Sequence, residues 1–259
     1  TLPEARLLAG LAQPRPYVTL LCAFPDFPDI RPATLAEAER AMGGTYPGMA
    51  HYWDEVSNGE ISMAGSIVRG WYTLPQPKSA YVGSSEANVT LLARDCAAAA
   101  DADVHFPDFA GVNFVMNTDI GCCFWGGSGG LTLDGGPRSY GMTWLGGDVM
   151  RNVGFVAHEM GHSLGLGHSS GPYGLVYDSR WDVMSMGAWY VTPGEGFVIG
   201  SHVNAYGKRR LGWIPDARHY EAVVGTQTIL IESAAQPAAN GNPLMARVPT
   251  PRFGASQYY

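Results

Sequence analysis

Charged residues are scarce in this sequence of 259 residues: they make up 15% of the chain, with 16 Lys or Arg against 23 Asp or Glu and a net charge of −7. The longest run of consecutive basic residues is Lys208, Arg209 and Arg210. Because a nucleic-acid-binding surface needs a concentrated positive face, we expect no nucleic-acid partner. No stretch approaches the ~20 consecutive apolar residues of a membrane-spanning helix, so we also expect no membrane span.

Size and composition indicate a folded protein. Hydrophobic residues make up 46% of the chain, which excludes a disordered chain of high charge. At ~150 residues per domain, the length predicts one large domain with an appendage. The low charge and the 34 glycines favour a secreted, extracellular protein. The first residues are typical of a mature or trimmed chain rather than of a signal peptide.

Cysteine is also scarce, and its four positions lack the paired spacing of a zinc knuckle: Cys22, Cys96, Cys122 and Cys123. Two interpretations stay open. Adjacent cysteines rarely bond to each other, so in an oxidised chain Cys122 and Cys123 would pair separately with Cys22 and Cys96. In a reduced chain they would be buried thiols.

Strand-like and helix-like segments alternate along the first half of the chain. Apolar, β-rich runs predict strands at residues 16–24, 111–118 and 139–145, and a strand or hairpin at residues 61–74. Helical patterns follow Thr34, which forms a capping-box pattern with Glu37, and cover residues 84–102, with Ser85 as a candidate cap. This alternation predicts an α+β fold whose N-terminal half is α/β.

The most specific pattern in the sequence begins at residue 158. It reads His158-Glu159-Met160-Gly161-His162-Ser163-Leu164-Gly165-Leu166-Gly167-His168 and matches HExxHxxGxxH at every fixed position. A bare HExxH arises by accident often enough to be ambiguous. The added glycine and third histidine make an ordinary helix with unrelated histidines a poor explanation.

The spacing of this motif suits a metal ion. His158 and His162 lie one turn apart on a helix and therefore share a face. Gly165 can adopt φ > 0, which lets the chain leave the helix and bring His168 back as a third ligand. Three protein ligands leave the fourth position of a zinc ion open, as in catalytic sites. Glu159, rotated by about 100° from His158, is the candidate general base. An apolar stripe predicts the buried face of this helix: Val149, Val153, Val156, Met160 and Leu164.

The extended motif resembles that of the metzincin metallopeptidases, and a second segment supports the resemblance. Metzincins have a methionine-containing turn after the zinc helix. Residues 181–187, WDVMSMG, are similar to that turn. The resemblance implies that Met184 forms the floor of the zinc site.

Further segments resemble those of gametolysin-like and immune-inhibitor-A-like peptidases. They are the strand region at residues 56–75 and a helix at residues 202–213 that ends in Leu-Gly-Trp. His168 favours the gametolysin type, whose third ligand is histidine. In total the resemblance covers residues 17–213.

The resemblance implies a secreted zinc endopeptidase that acts on a protein or peptide substrate. Its fold would be a twisted mixed sheet with packed helices, a zinc helix at the cleft and a Met-turn. The catalytic domain would span residues 1–217, with two subdomains that divide near residue 165. Glu159 would serve as general base and acid beside Zn²⁺. Two alternatives stay open: a peptidase that requires a glycan on its substrate, and a zinc-containing binding module without turnover.

Candidate substrate-binding residues are less specific. The glycine-rich stretch at residues 126–131, with Gly127 and Gly129, would form the edge along which a substrate strand pairs, or else a surface loop. Trp189 and Tyr190 would line the pocket for the residue after the cleaved bond, or else pack in the core. Several metzincins have a tyrosine two residues after the turn methionine, where this chain has Met186. No tyrosine is therefore assigned a catalytic role.

Calcium is a second candidate cation, because several aspartates lie in predicted loops: Asp101, Asp103, Asp108 and Asp178. The chain has no EF-hand-like loop. Scattered surface aspartates are the commoner explanation of such a pattern.

Residues 218–259 are predicted to form a β-rich segment. Residues 226–232 alternate in strand fashion, and residues 244–248 are expected to pair with them. The chain ends in Gln257-Tyr258-Tyr259, which is more typical of the start of a strand than of the end of a domain. We expect the beginning of a β-sandwich here.

Overall fold

The structure is a computed structural model that describes residues 14–84, 86–121, 124–134, 136–171, 174–189 and 198–248. These residues form a mixed five-stranded sheet, a second pair of short strands and six α-helices. The strands are β1 (Tyr17–Ala23), β2 (Ile67–Thr73), β3 (Gly111–Met116), β4 (Trp125–Leu133), β5 (Gly136–Gly146), β6 (His219–Glu221) and β7 (Met245–Arg247). The α-helices are α1 (Leu35–Met42), α2 (Met49–Val56), α3 (Lys78–Tyr81), α4 (Val89–Ala100), α5 (Val153–Ser163) and α6 (Ala205–Arg210). None of the described helices combines the length and the apolar character that crossing a membrane requires.

The large sheet has the strand order β2-β1-β3-β5-β4. Its first four strands are parallel, and β4 runs antiparallel to β5 at the edge. The central strands β1 and β3 are buried along their whole length, as expected of parallel strands that are covered on both faces. The mixed sheet with packed helices agrees with the expected α+β class.

Alternate side chains of β1 pack into two different apolar cores. Tyr17 and Leu21 contribute to the first core, together with residues of α1, α2 and α5. Val18 and Leu20 contribute to the second core, together with residues of α4. The layers are therefore helix, sheet and helix, and α5 lies on the first face, against β4 and β5.

Two helix starts show how local sequence sets the element boundaries. The Thr34 hydroxyl accepts a hydrogen bond from Glu37 N at 3.2 Å, and the Glu37 carboxylate accepts one from Thr34 N at 2.8 Å, which confirms the predicted capping box. Helix α4 begins after Asn88, whose side chain accepts from Leu91 N at 3.0 Å. Asn88 is therefore the cap of α4 in place of the predicted Ser85, which itself lies outside the described residues.

Cys22 and Cys96 form a disulfide with each other, with their Cα atoms 6.0 Å apart. The predicted pairing of these residues with Cys122 and Cys123 is therefore wrong. The reason is the layer arrangement: Cys22 belongs to the core on the second face of the sheet, where α4 places Cys96. Cys122 and Cys123 lie outside the described residues.

Of two further strand predictions, the first is confirmed and the second needs correction. A strand forms within residues 61–74 as β2, and it pairs in parallel with β1, so the alternative of a hairpin is excluded. Residues 226–232 form no strand, and β7, at residues 245–247, pairs in parallel with β6 instead. Leu230 and Ile231 are neighbours and both exposed, so the alternating pattern has no covered face to pack against. The final aromatic residues lie outside the described part of the chain.

Candidate metal centre

Helix α5 is fixed at its start and along one face by its own sequence. The Asn152 side chain accepts a hydrogen bond from Phe155 N at 3.0 Å and caps the helix. Val153, Val156 and Met160 are buried in the first core, as the apolar stripe predicted. The histidines of the motif therefore lie on the other side of the helix, where His158 and His162 are half-buried.

The same short segment ends the helix and orients its second histidine. Gly165 has φ of 95°, Gly165 N donates to His162 O, and Leu166 N donates to Gly161 O, both at 2.9 Å. These two bonds form a Schellman motif, as the glycine predicted. The Leu166 carbonyl then faces His162 Nδ1 at 2.8 Å. The segment that ends the helix therefore also orients the imidazole ring of His162.

The three histidines of the motif converge. Each offers a ring nitrogen, and the three nitrogens all lie within 4.8 Å of one another. His162 Nε2 and His168 Nε2 are 2.9 Å apart, and the His158 ring centroid lies 4.9 Å from that of His162 and 5.2 Å from that of His168. Together they could hold a metal ion, and no other such group of His, Cys, Asp or Glu occurs in the described part of the chain.

The rings are oriented by partners at their other nitrogens. Each Nδ1 atom has an oxygen partner: Val183 O for His158 at 2.7 Å, Leu166 O for His162 at 2.8 Å and the Tyr177 hydroxyl for His168 at 2.8 Å. Because a carbonyl oxygen only accepts, we assign the proton of His158 and His162 to Nδ1, which leaves Nε2 free as a ligand. The donor set therefore fits a divalent metal.

Burial also keeps two of these histidines, His158 and His168, in the form that a metal requires. It lowers the pKa of His158 to about 4. Burial and the neighbouring His162 lower the pKa of His168. At neutral pH both rings are uncharged, and metal binding needs a neutral imidazole.

Met184 packs against α5 between the two helical ligands. It is buried, and its sulfur lies so close to the Gly161 Cα that a Cβ at residue 161 would collide with it. The preceding residue, Val183, supplies the carbonyl that holds His158. The segment that resembles a Met-turn therefore lies directly beside the histidines of the candidate metal centre.

Asp182, a buried carboxylate, connects the segment that resembles a Met-turn to other parts of the site through hydrogen bonds. It accepts hydrogen bonds from Met184 N at 3.1 Å, from Ser169 Oγ at 2.6 Å and from Asn204 Nδ2. Ser169 follows His168 in the chain, and Asn204 caps α6. Sequence reasoning did not single out Asp182 or Tyr177, since no local pattern marks their partners.

Glu159 is 8% exposed, and burial raises its pKa to about 7. Among the described residues, none donates a hydrogen bond to its carboxyl group. A buried carboxyl without such a donor, one residue from a candidate metal ligand, is available for proton transfer.

The structure describes only some of the candidate substrate-binding residues. Gly127 and Gly129 lie in the edge strand β4, whose Gly126 packs against the backbone of Glu159. Gly129 instead approaches Met142, which belongs to the second core. Since residues alternate along a strand, Gly127 and Gly129 face away from α5. Trp189 ends a short 3-10 helix, Met186–Trp189, and Tyr190 lies outside the described residues.

The four aspartates considered for calcium are not brought together. Asp103 accepts from the Tyr72 hydroxyl at 3.0 Å, and Asp108 pairs with His105 at 3.0 Å. Asp178 is buried and accepts from the backbone of Gly171 and Leu175, so it organises the loop after His168. Asp101 is exposed at the end of α4.

A scan of the chain against models of protein families found no match, and a search of curated proteins found none either. The chemistry of the site therefore has to be argued from its own geometry. Three imidazoles within reach of one ion, with a buried carboxyl beside the first, are suited to hold a divalent metal next to a base.

Proposed function

We propose that this protein is a secreted zinc endopeptidase of the metzincin type. The observation that carries the proposal is the convergence of His158, His162 and His168, with the buried Glu159 next to the first of them. Three imidazoles are a usual ligand set of catalytic zinc. Met184, packed against the helix that bears two of the ligands, supports the metzincin type.

The residues of the site suit peptide hydrolysis. When bound, Zn²⁺ would lower the pKa of a water molecule and polarise a carbonyl group. Glu159 would accept a proton from that water and return it to the leaving amine. Its pKa of about 7 suits both steps, because a base that must later act as an acid works best near the ambient pH.

The surroundings of the site support an extended peptide as the substrate. Strand β4 lies at the edge of the sheet, beside α5, and an edge strand can pair with an extended chain. Gly127 and Gly129 would then contribute backbone groups rather than a pocket.

Exposed apolar side chains in the loop after His168 favour a substrate with apolar residues. Four such side chains are at least 44% exposed: Leu175, Val176, Trp181 and Met186. Backbone hydrogen bonds join this loop to itself, such as that from Met186 N to Tyr177 O at 3.2 Å. A rim of exposed apolar groups beside a site is typical of a binding surface.

The disulfide supports export. Cys22 and Cys96 are bonded, and structural disulfides are typical of proteins that leave the reducing cytosol. Export also suits a peptidase, which would otherwise meet the proteins of its own cell.

Replacing Glu159 tests the proposal. Glu159→Gln keeps the shape of the side chain but removes its proton acceptor, so peptide hydrolysis should fall by roughly 10²–10⁴-fold while Zn²⁺ content is kept. Glu39→Gln, at an exposed position of α1, is the matched control and should retain full activity. A chelator should abolish hydrolysis, and Zn²⁺ should restore it.

Near-normal hydrolysis by Glu159→Gln, or full activity in excess chelator, would refute the proposal. The substrates should include denatured proteins and both bare and O-glycosylated peptides. Cleavage of glycosylated peptides alone would indicate a glycan-dependent peptidase. Zinc binding without cleavage of any of them would indicate a binding module.

A further inference from the structure

His168 is held differently from the other two histidines. The Nδ1 atoms of His158 and His162 face backbone carbonyls, which no substitution removes. The Nδ1 atom of His168 faces a side chain, the Tyr177 hydroxyl, at 2.8 Å, and the same oxygen lies farther from Nε2, at 3.5 Å. His168 is also the one exposed member of the three and lies in a loop rather than in a helix. Beyond the other two histidines, the hydrogen-bonding partner of this ring in the described part of the chain is therefore one side chain, Tyr177.

Tyr177 is itself held in place from two sides. Its N–H donates to Ser170 Oγ at 3.3 Å, and its carbonyl accepts from Met186 N at 3.2 Å. Its φ of 61° is in the left-handed region, which residues with a Cβ avoid. Such a conformation persists only where the surroundings enforce it. The loop thus presents this tyrosine to His168, with the two ring centroids 4.6 Å apart and the rings edge to face.

We infer that Tyr177 is the positioning residue of the third metal ligand: its hydroxyl holds the His168 ring so that Nε2 faces His158 and His162. The inference rests on the proposed function and concerns the same metal site. A hydroxyl can donate or accept, so it can bond Nδ1 whether or not that atom carries a proton. The ring therefore keeps one orientation before and after a metal binds.

The test is the affinity of Tyr177→Phe for Zn²⁺, measured by competition with a chromophoric chelator. Phenylalanine keeps the ring packed on His168 and removes only the hydroxyl. We expect the dissociation constant to rise by about 10–100-fold, as is typical when a partner of a metal-binding histidine is lost. The visible absorption of the Co²⁺-loaded variant should change as well, because the third ligand is less well oriented.

Two controls separate positioning from a general effect on the fold. Tyr46→Phe removes the hydroxyl of an exposed tyrosine whose ring packs on His51, and it should leave the dissociation constant unchanged. In a His168→Ala background, Tyr177→Phe should have no further effect, because the ring that it positions is gone. Thermal unfolding of the metal-free chain should be the same with and without Tyr177→Phe.

Equal dissociation constants for the wild-type chain and Tyr177→Phe would overturn the inference. So would an unchanged constant with a reduced kcat, since the hydroxyl would then act on the reacting atoms. Zinc binding without peptide hydrolysis would refute the peptidase proposal. The zinc dissociation constants of the wild-type chain and of Tyr177→Phe would still decide the role of Tyr177. A wild-type chain that binds no Zn²⁺ at these histidines would overturn both.

Discussion

The two parts of the metal centre are built in different ways. His158 and His162 lie on α5, a helix of 11 residues with a capped start, a buried apolar face and a Schellman end. His168 lies in the segment at residues 164–189, whose only regular element in the described part is the 3-10 turn Met186–Trp189. The helix is positioned by apolar packing, whereas the loop combines a few buried apolar residues, such as Val183 and Met184, with buried polar groups.

This difference predicts different weaknesses. Removing one apolar side chain of α5 leaves the other members of its stripe in the core, so the helix should keep its place. The loop depends on single carboxylates: Asp182 accepts three hydrogen bonds, and Asp178 accepts two from the backbone. Loss of one such group leaves several donors unpaired at once.

Asp182→Ala should have the largest effect on the loop. It leaves Met184 N, Ser169 Oγ and Asn204 Nδ2 without their acceptor, so urea unfolding should show a loss of about 2–4 kcal/mol. The affinity for Zn²⁺ should also fall, because Ser169 adjoins His168. Asp101→Ala, at an exposed position, should change stability by less than about 0.5 kcal/mol. An unchanged zinc affinity in Asp182→Ala would show that the loop is held in another way.

Gly161→Ala tests the contact between the two parts. The new Cβ collides with the Met184 sulfur, and overpacking outweighs the better helix propensity of alanine, so we expect a net loss of about 1–2 kcal/mol in the free energy of unfolding. In a Met184→Ala background the same change should be neutral or stabilising, because the collision is gone. If Gly161→Ala costs as much in that background, Met184 is not what requires the glycine.

Lys208→Met should have an effect that depends on pH. Lys208 is 1% exposed, its amine donates to Ala234 O at 2.7 Å, and burial lowers its pKa from 10.5 to about 8. Between these values the unfolded chain binds a proton that the folded chain does not, so the stability of the wild-type chain should rise with pH. The measurement is urea unfolding from pH 8 to 10. The rise in stability with pH that Lys208 contributes should be absent in Lys208→Met. Equal slopes of stability against pH in the two chains would contradict the lowered pKa of Lys208.

Interactions between residues close in the chain were predictable from the sequence. The capping box of Thr34 and Glu37, the buried stripe of α5 and the helix exit at Gly165 all depend on contacts within about one turn of helix. The shared face of His158 and His162 follows from the same periodicity. For this reason the motif alone located the three histidines that the fold brings together.

Contacts between distant segments could not be predicted in the same way. The bond between Cys22 and Cys96 depends on which face of the sheet α4 covers, and the parallel pairing of β2 depends on the order of the strands. Residues 226–232 have a strand-like pattern but no core to cover one face. Tyr177 and Asp182 acquire their roles only when the loop folds back on α5. Local sequence thus specifies which residues can bind a metal, while long-range packing sets which groups hold them, because the partners are chosen by the fold and not by their spacing in the chain.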